Sequence, residues 1–198
     1  MLLKVGEVRT KPKTGYGEKS GQVSSHDNLT QIIQMVLKIF PFVTIRYDIH
    51  GRAHANWVLF FVNMLSGMLQ ADKEIDLRII TIAALLHDNG RENDGKDPFH
   101  ADQSAEIASR FINTHYIDCN EELIIKTIRY HCQSDAFTWT YPALEAKIVS
   151  DADKLDRFRL KRESPLNKDL LELPESHGLI DIASRINDHS FRTFKYSG

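Results

Sequence analysis

Histidine and aspartate residues stand at several points where their chemistry would suit a divalent metal ion. The adjacent pair His87-Asp88 follows an apolar stretch, so both side chains would project from the end of one helix. Neutral imidazole and carboxylate groups are both ligands of divalent transition metals. An aspartate at a helix C-terminus also faces the negative end of the helix dipole, which is unfavourable without a cation nearby. The pair alone is weak evidence, because adjacent His and Asp occur by chance in many proteins.

Two other positions place polar groups among apolar ones. His54 shares a predicted helix face with core-type residues one and two turns later, where a histidine is either a hydrogen-bonded core residue or a metal ligand. Asp151 and Asp153 continue an apolar run, and carboxylates that enter a core-facing helix are costly without a paired charge or metal. The alternative for these aspartates is an ion pair with a nearby basic residue, namely Lys154, Arg157 or Arg159.

The elements that must position these residues are predicted to be helices. Apolar residues recur with helical periodicity, and no run of alternating residues indicates strands. The predicted helices cover residues 28–40, 51–70, 73–87, 99–115 and 120–132, then a segment after Pro142 and a short helix at 180–186. The sequence therefore predicts an all-α, single-domain helical bundle over residues 28–198, with its motifs in residues 50–160 and a flexible N-terminal arm at 1–27.

Composition excludes several classes of protein. The chain has 198 residues, of which 42% are apolar and 26% charged, so wholesale disorder is excluded. A net charge of −2 argues against a general nucleic-acid binder. Two cysteines cannot form a disulfide scaffold, the N-terminus does not resemble a secretory signal, and no apolar stretch approaches the roughly 20 residues that span a bilayer. We expect a soluble, cytoplasmic protein without a membrane partner.

Together these motifs resemble the HD superfamily of metal-dependent phosphohydrolases, which is named after its adjacent His-Asp pair. The resemblance covers roughly residues 50–160. Four segments carry it: His50-Gly51-Arg52-Ala53-His54, Ala83-Ala84-Leu85-Leu86-His87-Asp88-Asn89-Gly90-Arg91, His100-Ala101-Asp102-Gln103-Ser104-Ala105 and Asp151-Ala152-Asp153-Lys154-Leu155-Asp156. The resemblance implies an HD-type helical domain with a metal site in its core.

The resemblance also implies a ligand set for a divalent metal ion: His54, His87, Asp88 and Asp153. Asp153 is preferred to Asp151 because the superfamily ligand stands in an Ala-Asp-(Arg/Lys)-Leu context. We expect Asp151 on a partly polar flank of the same helix. This mixed nitrogen and oxygen set favours Mn, Fe, Co or Ni, while Mg and Zn stay open. A thiolate-loving metal is not expected, since neither cysteine lies in a motif.

Two more histidines, His100 and His131, fall between the His-Asp pair and the last aspartate. Some superfamily members hold a second metal through two histidines in this interval, with the aspartate of the pair bridging the ions. Phosphate contacts and a simple surface position are the alternatives.

Further residues are expected to act on the substrate. By analogy with the family, Asp88 would hold the attacking water. Arg91 is the favoured cationic group, because the turn after Asp88 keeps it near the ion, and Gly90 would let that turn take a positive φ. Lys154 and Arg157 are expected to contact substrate.

The predicted function is hydrolysis of a nucleotide or another small phosphate ester by metal-activated water. An HD-fold di-iron oxygenase and a non-catalytic nucleotide-binding module are the alternatives. The acidic pair of the guanosine alarmone hydrolases and the Gly-Tyr-Pro element of the cyclic-dinucleotide branch are both missing from the chain. Trp139 and Tyr141 would either stack a base or cover the core. The expected partner is a small phosphate-bearing molecule, and a homodimer is left open.

Overall fold

The fold is described by a computed structural model for residues 25–40, 49–70, 73–132, 143–160 and 166–186. Within these ranges the chain forms helices α1 (Ser25–Ile39), α2 (Arg52–Leu69), α3 (Leu77–Leu86), α4 (His100–Thr114), α5 (Glu121–Tyr130), α6 (Leu144–Asp156) and α7 (Pro174–Gly178). Short 3₁₀ helices cover Arg157–Leu160 and Lys168–Leu170, and residues 180–186 are helical. No strand occurs in the described ranges, so the all-α prediction is confirmed.

Some sequence predictions fall on other parts of the chain. Residues 1–24, which make up most of the predicted N-terminal arm, lie outside the described residues, as do Trp139 and Tyr141. Among the helices that are described, none is both long enough and apolar enough to cross a membrane.

Helix α3 is the centre of the bundle. Every residue from Ile79 to Leu86 is buried, and the helix packs against α1, α2, α4, α5 and α6. A helix that is apolar on all sides is stable only when other elements surround it. Because α3 ends inside the protein, the His87-Asp88 pair that follows it emerges in the interior rather than at the surface.

Two helices begin three or more residues from their predicted starts. Helix α3 begins at Leu77 rather than near residue 73, because the carboxylate of Asp76 accepts a hydrogen bond from the backbone N–H of Arg78 at 2.9 Å. Aspartate is among the best residues for capping a helix N-terminus in this way. Helix α1 begins at Ser25, three residues before its predicted start.

Helices α2 and α6 pack against each other and carry two of the predicted ligands. His54 lies in the first turn of α2, and Asp153 lies in the last turn of α6. Both helices also pack against α3. The first turn of one helix and the last turns of two others therefore meet at one place in the core.

Candidate metal centre

A first subsite is formed by four ligand atoms: Nε2 of His54, Nε2 of His87, Oδ2 of Asp88 and Oδ1 of Asp153. The two Nε2 atoms are 3.0 Å apart. Each carboxylate oxygen lies 3.4 Å from Nε2 of His54, and the two oxygens lie 3.6 and 3.8 Å from Nε2 of His87. Adjacent ligand atoms around an octahedral ion with bonds of about 2.1 Å are roughly 3.0 Å apart. The structure thus brings together the four residues that the resemblance implies as ligands, at separations that suit an ion.

A second subsite lies on the other side of the Asp88 carboxylate. The Nε2 atoms of His100 and His131 are 3.2 Å apart, and they lie 3.3 and 3.5 Å from Oδ1 of Asp88. Arg91 donates from Nε to the same oxygen at 2.9 Å, and its Nη2 lies 3.2 Å from Nε2 of His100. Asp88 therefore presents one oxygen to each subsite.

Three histidines are oriented by their own chain segments. The Nδ1 atom of each lies near the carbonyl oxygen three residues earlier: His87 at 2.8 Å from Ala84, His100 at 2.5 Å from Asp97 and His131 at 2.5 Å from Ile128. A carbonyl oxygen only accepts, so Nδ1 carries the proton and Nε2 faces the cluster. The residues at the C-terminal ends of α3 and α5 are His87 and His131, where helix carbonyls lack helical partners. Both negative helix ends therefore favour a cation here.

His54 is oriented by a distant carboxylate. Its Nδ1 donates to Oδ2 of Asp156 at 2.7 Å, and Arg159 donates to the same oxygen. Asp156 is fully buried. A carboxylate behind a ligating histidine fixes the ring and raises its basicity in many metal sites. Asp156 has no predicted role, and its only signal in the sequence is its place in the last motif, 102 residues away from His54.

In the metal-free first subsite, Nε2 of His54 carries a proton at the place where an ion would bind. Burial opposes protonation of His54, but hydrogen bonds to Asp156 and Asp88 outweigh it and raise its pKa to about 9. Burial lowers the pKa of His87 to about 3. Burial alone would raise the pKa of Asp88, but the surrounding histidines hold it well below its usual range. At neutral pH His54 is therefore a cation whose Nε2 donates to the lone pair of His87.

We expect metal affinity to rise with pH because the ion must displace this proton. With a pKa of about 9, His54 is protonated in the metal-free protein up to that pH. Each bound ion should release about one proton between pH 7 and 9, so the affinity should rise about tenfold per pH unit and level off above 9. Isothermal titration calorimetry in buffers of different ionisation enthalpy measures both quantities. An affinity that stays constant from pH 7 to 9 would contradict this assignment.

The turn after Asp88 is held against α4. The backbone N–H of Gly90 donates to Oγ of the buried Ser104 at 2.8 Å. A Cβ atom on Gly90 would lie 2.4 Å from the Ser104 nitrogen and 2.7 Å from the His100 carbonyl oxygen. None of the described glycines has a positive φ, so the predicted positive φ at Gly90 is wrong. Glycine is required there because two backbones approach closely.

Gly90→Ala is expected to destabilise the protein by about 1–3 kcal/mol, as overpacking of a buried contact does. It should also weaken metal binding at the second subsite, because the clash involves the first turn of α4, where His100 lies. Thermal unfolding and metal titration measure the two effects. Gly67→Ala is the matched control, since a Cβ at this position in α2 meets nothing within 4 Å. Gly67→Ala should stabilise the helix by about 0.5–1 kcal/mol, and an equal result for both variants would refute the close approach.

The basic residues predicted to contact substrate lie in different places. Arg91 lies in the second subsite, with contacts to Asp88 and His100. The ammonium of Lys154 instead donates to the carbonyl oxygen of Leu170 at 2.8 Å and lies 3.6 Å from a carboxylate oxygen of Glu172. These contacts place it against the segment after α6, and its contact with substrate stays a prediction. Arg157 is exposed at the C-terminal end of α6.

Asp151 has a structural role instead of the expected partly polar setting. Its side chain is fully buried and accepts hydrogen bonds from the backbone N–H groups of Glu172 and Leu173 at 3.0 and 2.9 Å. The hydroxyl of Ser176 donates to it at 2.8 Å. Asp151 therefore fastens the segment around the start of α7 to α6, and the expectation of a partly polar flank was wrong.

Two other residues at the cluster received no role from the sequence. His50 donates from Nδ1 to Oδ2 of Asp88 at 2.6 Å and is 18% exposed, so it lies at the rim of the first subsite. The only sign of His50 in the sequence is its place four residues before His54 in the opening motif. The Sγ atom of Cys132 and ring nitrogens of His100 and His131 lie within 4.8 Å of one another. The only signal for Cys132 was its place next to His131.

The fold and the cluster define an all-α domain with a buried His/Asp group able to hold a metal ion. A family model of the HD domain matches residues 52–157, more than half of the chain. Searches of curated proteins and of solved structures gave no significant match. The chain belongs to the HD domain family, which places it in the superfamily of metal-dependent phosphohydrolases. HD domains bind divalent metal ions, and this cluster has the donor groups to do so.

Proposed function

We propose that the protein is a metal-dependent hydrolase of a nucleotide or another small phosphate ester. The observation that carries this proposal is the position of Asp88, a nearly buried carboxylate with histidine nitrogens on both sides and the Arg91 guanidinium beside it. Buried charges are rarely tolerated unless they are paired or bind a metal. Family membership supports the phosphate ester as the class of substrate.

The first subsite is the proposed site of the resident ion, with His54, His87, Asp88 and Asp153 as its ligands. When bound, a divalent ion lowers the pKa of a water molecule and polarises a phosphoryl oxygen. Four protein ligands leave positions in an octahedral shell for water and substrate. The donor set of two imidazoles and two carboxylates suits Mn, Fe, Co or Ni.

The protein's own groups would position the reactants. The carboxylate of Asp88, which the surrounding histidines keep ionised, can accept a hydrogen bond from the attacking water and orient it. The Arg91 guanidinium, 13% exposed, can turn from Asp88 to a phosphoryl oxygen on which charge develops. His50 donates to Asp88 from the exposed rim, and this contact holds the carboxylate in place where substrate would enter.

The experiment is a screen of the purified chain, freed of metal and then loaded with Mn, Fe, Co, Ni, Mg or Zn. Nucleotides and simple phosphate monoesters and diesters are the substrates. We expect phosphate release that depends on the metal and is lost in Asp88→Ala but retained in Asp102→Ala, which removes an exposed ion pair with Arg129. Ligand binding without turnover of any phosphate ester would favour a non-catalytic binding module.

A di-iron oxygenase is the second candidate, and the two subsites that share Asp88 are the observation that favours it. It requires one iron in each subsite, so both His100 and His131 must bind metal. Oxygen uptake by protein loaded with two ferrous ions per chain, together with no phosphate release under any metal, would support it. A metal content of one ion per fully active chain would eliminate it.

A further inference from the structure

Cys132 brings a thiol to the second subsite. It follows His131 directly at the C-terminal end of α5, and its Sγ lies within 4.8 Å of ring nitrogens of both histidines. Cys132 as a residue is exposed whereas both histidines are buried, and partial burial of its thiol raises the pKa of Cys132 to about 11. The proposed hydrolysis uses no thiol, and the first subsite contains none.

The imidazoles of this subsite are prepared to accept a cation. The carbonyl oxygens of Asp97 and Ile128 fix the Nδ1 protons, so each Nε2 points toward Oδ1 of Asp88. A guanidinium nitrogen only donates, and the contact from Arg91 therefore requires a lone pair on Nε2 of His100. Two imidazoles and a carboxylate thus converge on one point, with the thiol as a fourth group.

We propose that His100, His131, Cys132 and Oδ1 of Asp88 form a tetrahedral metal site that selects Zn²⁺ or Co²⁺. Ligand atoms around a tetrahedral ion with Zn–N bonds of about 2.1 Å and one Zn–S bond of about 2.3 Å are roughly 3.4–3.6 Å apart. The two nitrogens and the oxygen already lie 3.2–3.5 Å from one another, and the Cys132 sulfur, within 4.8 Å of a ring nitrogen of each histidine, would have to move closer to complete the shell. The thiol releases its proton to solvent when its thiolate binds.

This site differs from the first subsite in two respects. Its set of two nitrogens, one oxygen and one sulfur suits a borderline-soft ion, whereas the first subsite offers only nitrogen and oxygen. An ion must also displace the Arg91 guanidinium, which lies 2.9 Å from Oδ1 of Asp88. The second equivalent of metal should therefore bind more weakly than the first. Because Asp88 belongs to both subsites, the site rests on the metal centre of the proposed function.

The test is a Co²⁺ titration of the full chain, followed by absorption spectroscopy. A thiolate bound to Co²⁺ gives a charge-transfer band in the near ultraviolet. We expect this band to grow with the second equivalent in the wild-type protein and in Cys119→Ser, whose thiol lies in the connection between α4 and α5. Cys132→Ser should bind the first equivalent normally, show no band and bind the second equivalent of Co²⁺ or Zn²⁺ at least tenfold more weakly.

Two results would overturn the proposed site. One is a wild-type protein that binds two equivalents of Co²⁺ without the band, and the other is a Cys132→Ser protein that retains the band. If the first equivalent of Co²⁺ binds but the thiolate band never appears as more Co²⁺ is added, Cys132 is not a ligand. The proposed phosphohydrolase centre is unaffected by that result. If the wild-type protein binds no Co²⁺ at all, both the second site and the proposed metal centre fail.

Discussion

Asp88→Ala is expected to abolish metal binding at both subsites and to reduce phosphate hydrolysis to background. The reason is geometric: Oδ2 of Asp88 faces the nitrogens of His54 and His87, while Oδ1 faces those of His100 and His131. No other described carboxylate contacts both histidine pairs. Equilibrium dialysis with elemental analysis measures the bound metal, and phosphate release measures activity.

His87→Ala is the informative comparison, because it removes a ligand from the first subsite only. It should abolish hydrolysis and the first equivalent of metal while leaving the second subsite its own ligands. Thermal unfolding adds an independent readout. Metal at 100 times its Kd should stabilise the wild-type protein by about 2.7 kcal/mol, a rise in Tm of roughly 5–10 °C. A folded Asp88→Ala protein that keeps this rise or full activity would refute the assignment.

Asp153→Asn and Asp151→Asn are expected to have opposite effects, although the two residues are only two positions apart in α6. Residues two apart on a helix point about 200° away from each other. Asp153 faces His54 and His87, whereas Asp151 accepts hydrogen bonds from the segment at the start of α7. Asp153→Asn should therefore lower metal affinity roughly 100-fold or more, since even changes behind the ligands cost 10–100-fold.

Asp151→Asn should instead leave metal affinity unchanged and lower stability. Its amide would present N–H donors to a pocket that already contains four donors, including the Lys154 ammonium at 3.5 Å, so at least one charged hydrogen bond is lost. The expected cost is about 1.5–3 kcal/mol, or a fall in Tm of roughly 3–12 °C. Metal titration and thermal unfolding of both variants measure the contrast. If Asp151→Asn lost the metal and Asp153→Asn kept it, Asp151 would be the metal ligand and the assignment of Asp153 would be wrong.

The sequence predicted the parts of the site that depend on residue type and local order. His54, His87, Asp88 and Asp153 were predicted as ligands because only certain residue types bind metals and their order along the chain is typical of one family, and the structure brings their ligand atoms together. The all-α class followed from apolar periodicity. The start of α3 was missed because one capping side chain, Asp76, overrides the apolar pattern around it.

What the sequence could not predict depends on contacts between distant segments. Asp156 meets His54 across 102 positions, and Asp151 meets Leu173 across 22. Neither distance leaves a pattern in a single sequence. The positive φ expected for Gly90 failed for a related reason. Gly90 approaches the backbone of α4, and the local sequence does not reveal that contact.

The hydrogen bonds from His87, His100 and His131 to backbone carbonyl oxygens affect how tightly an ion can bind. Each imidazole is held by a carbonyl oxygen three residues earlier in its own segment. Fixing a free side chain on binding usually costs about 0.5–1.5 kcal/mol in rotamer entropy. These rings have already lost that freedom when the protein folds. Differences in affinity among metals should therefore reflect their preferences for ligand type and geometry, with little contribution from the ordering of the imidazoles.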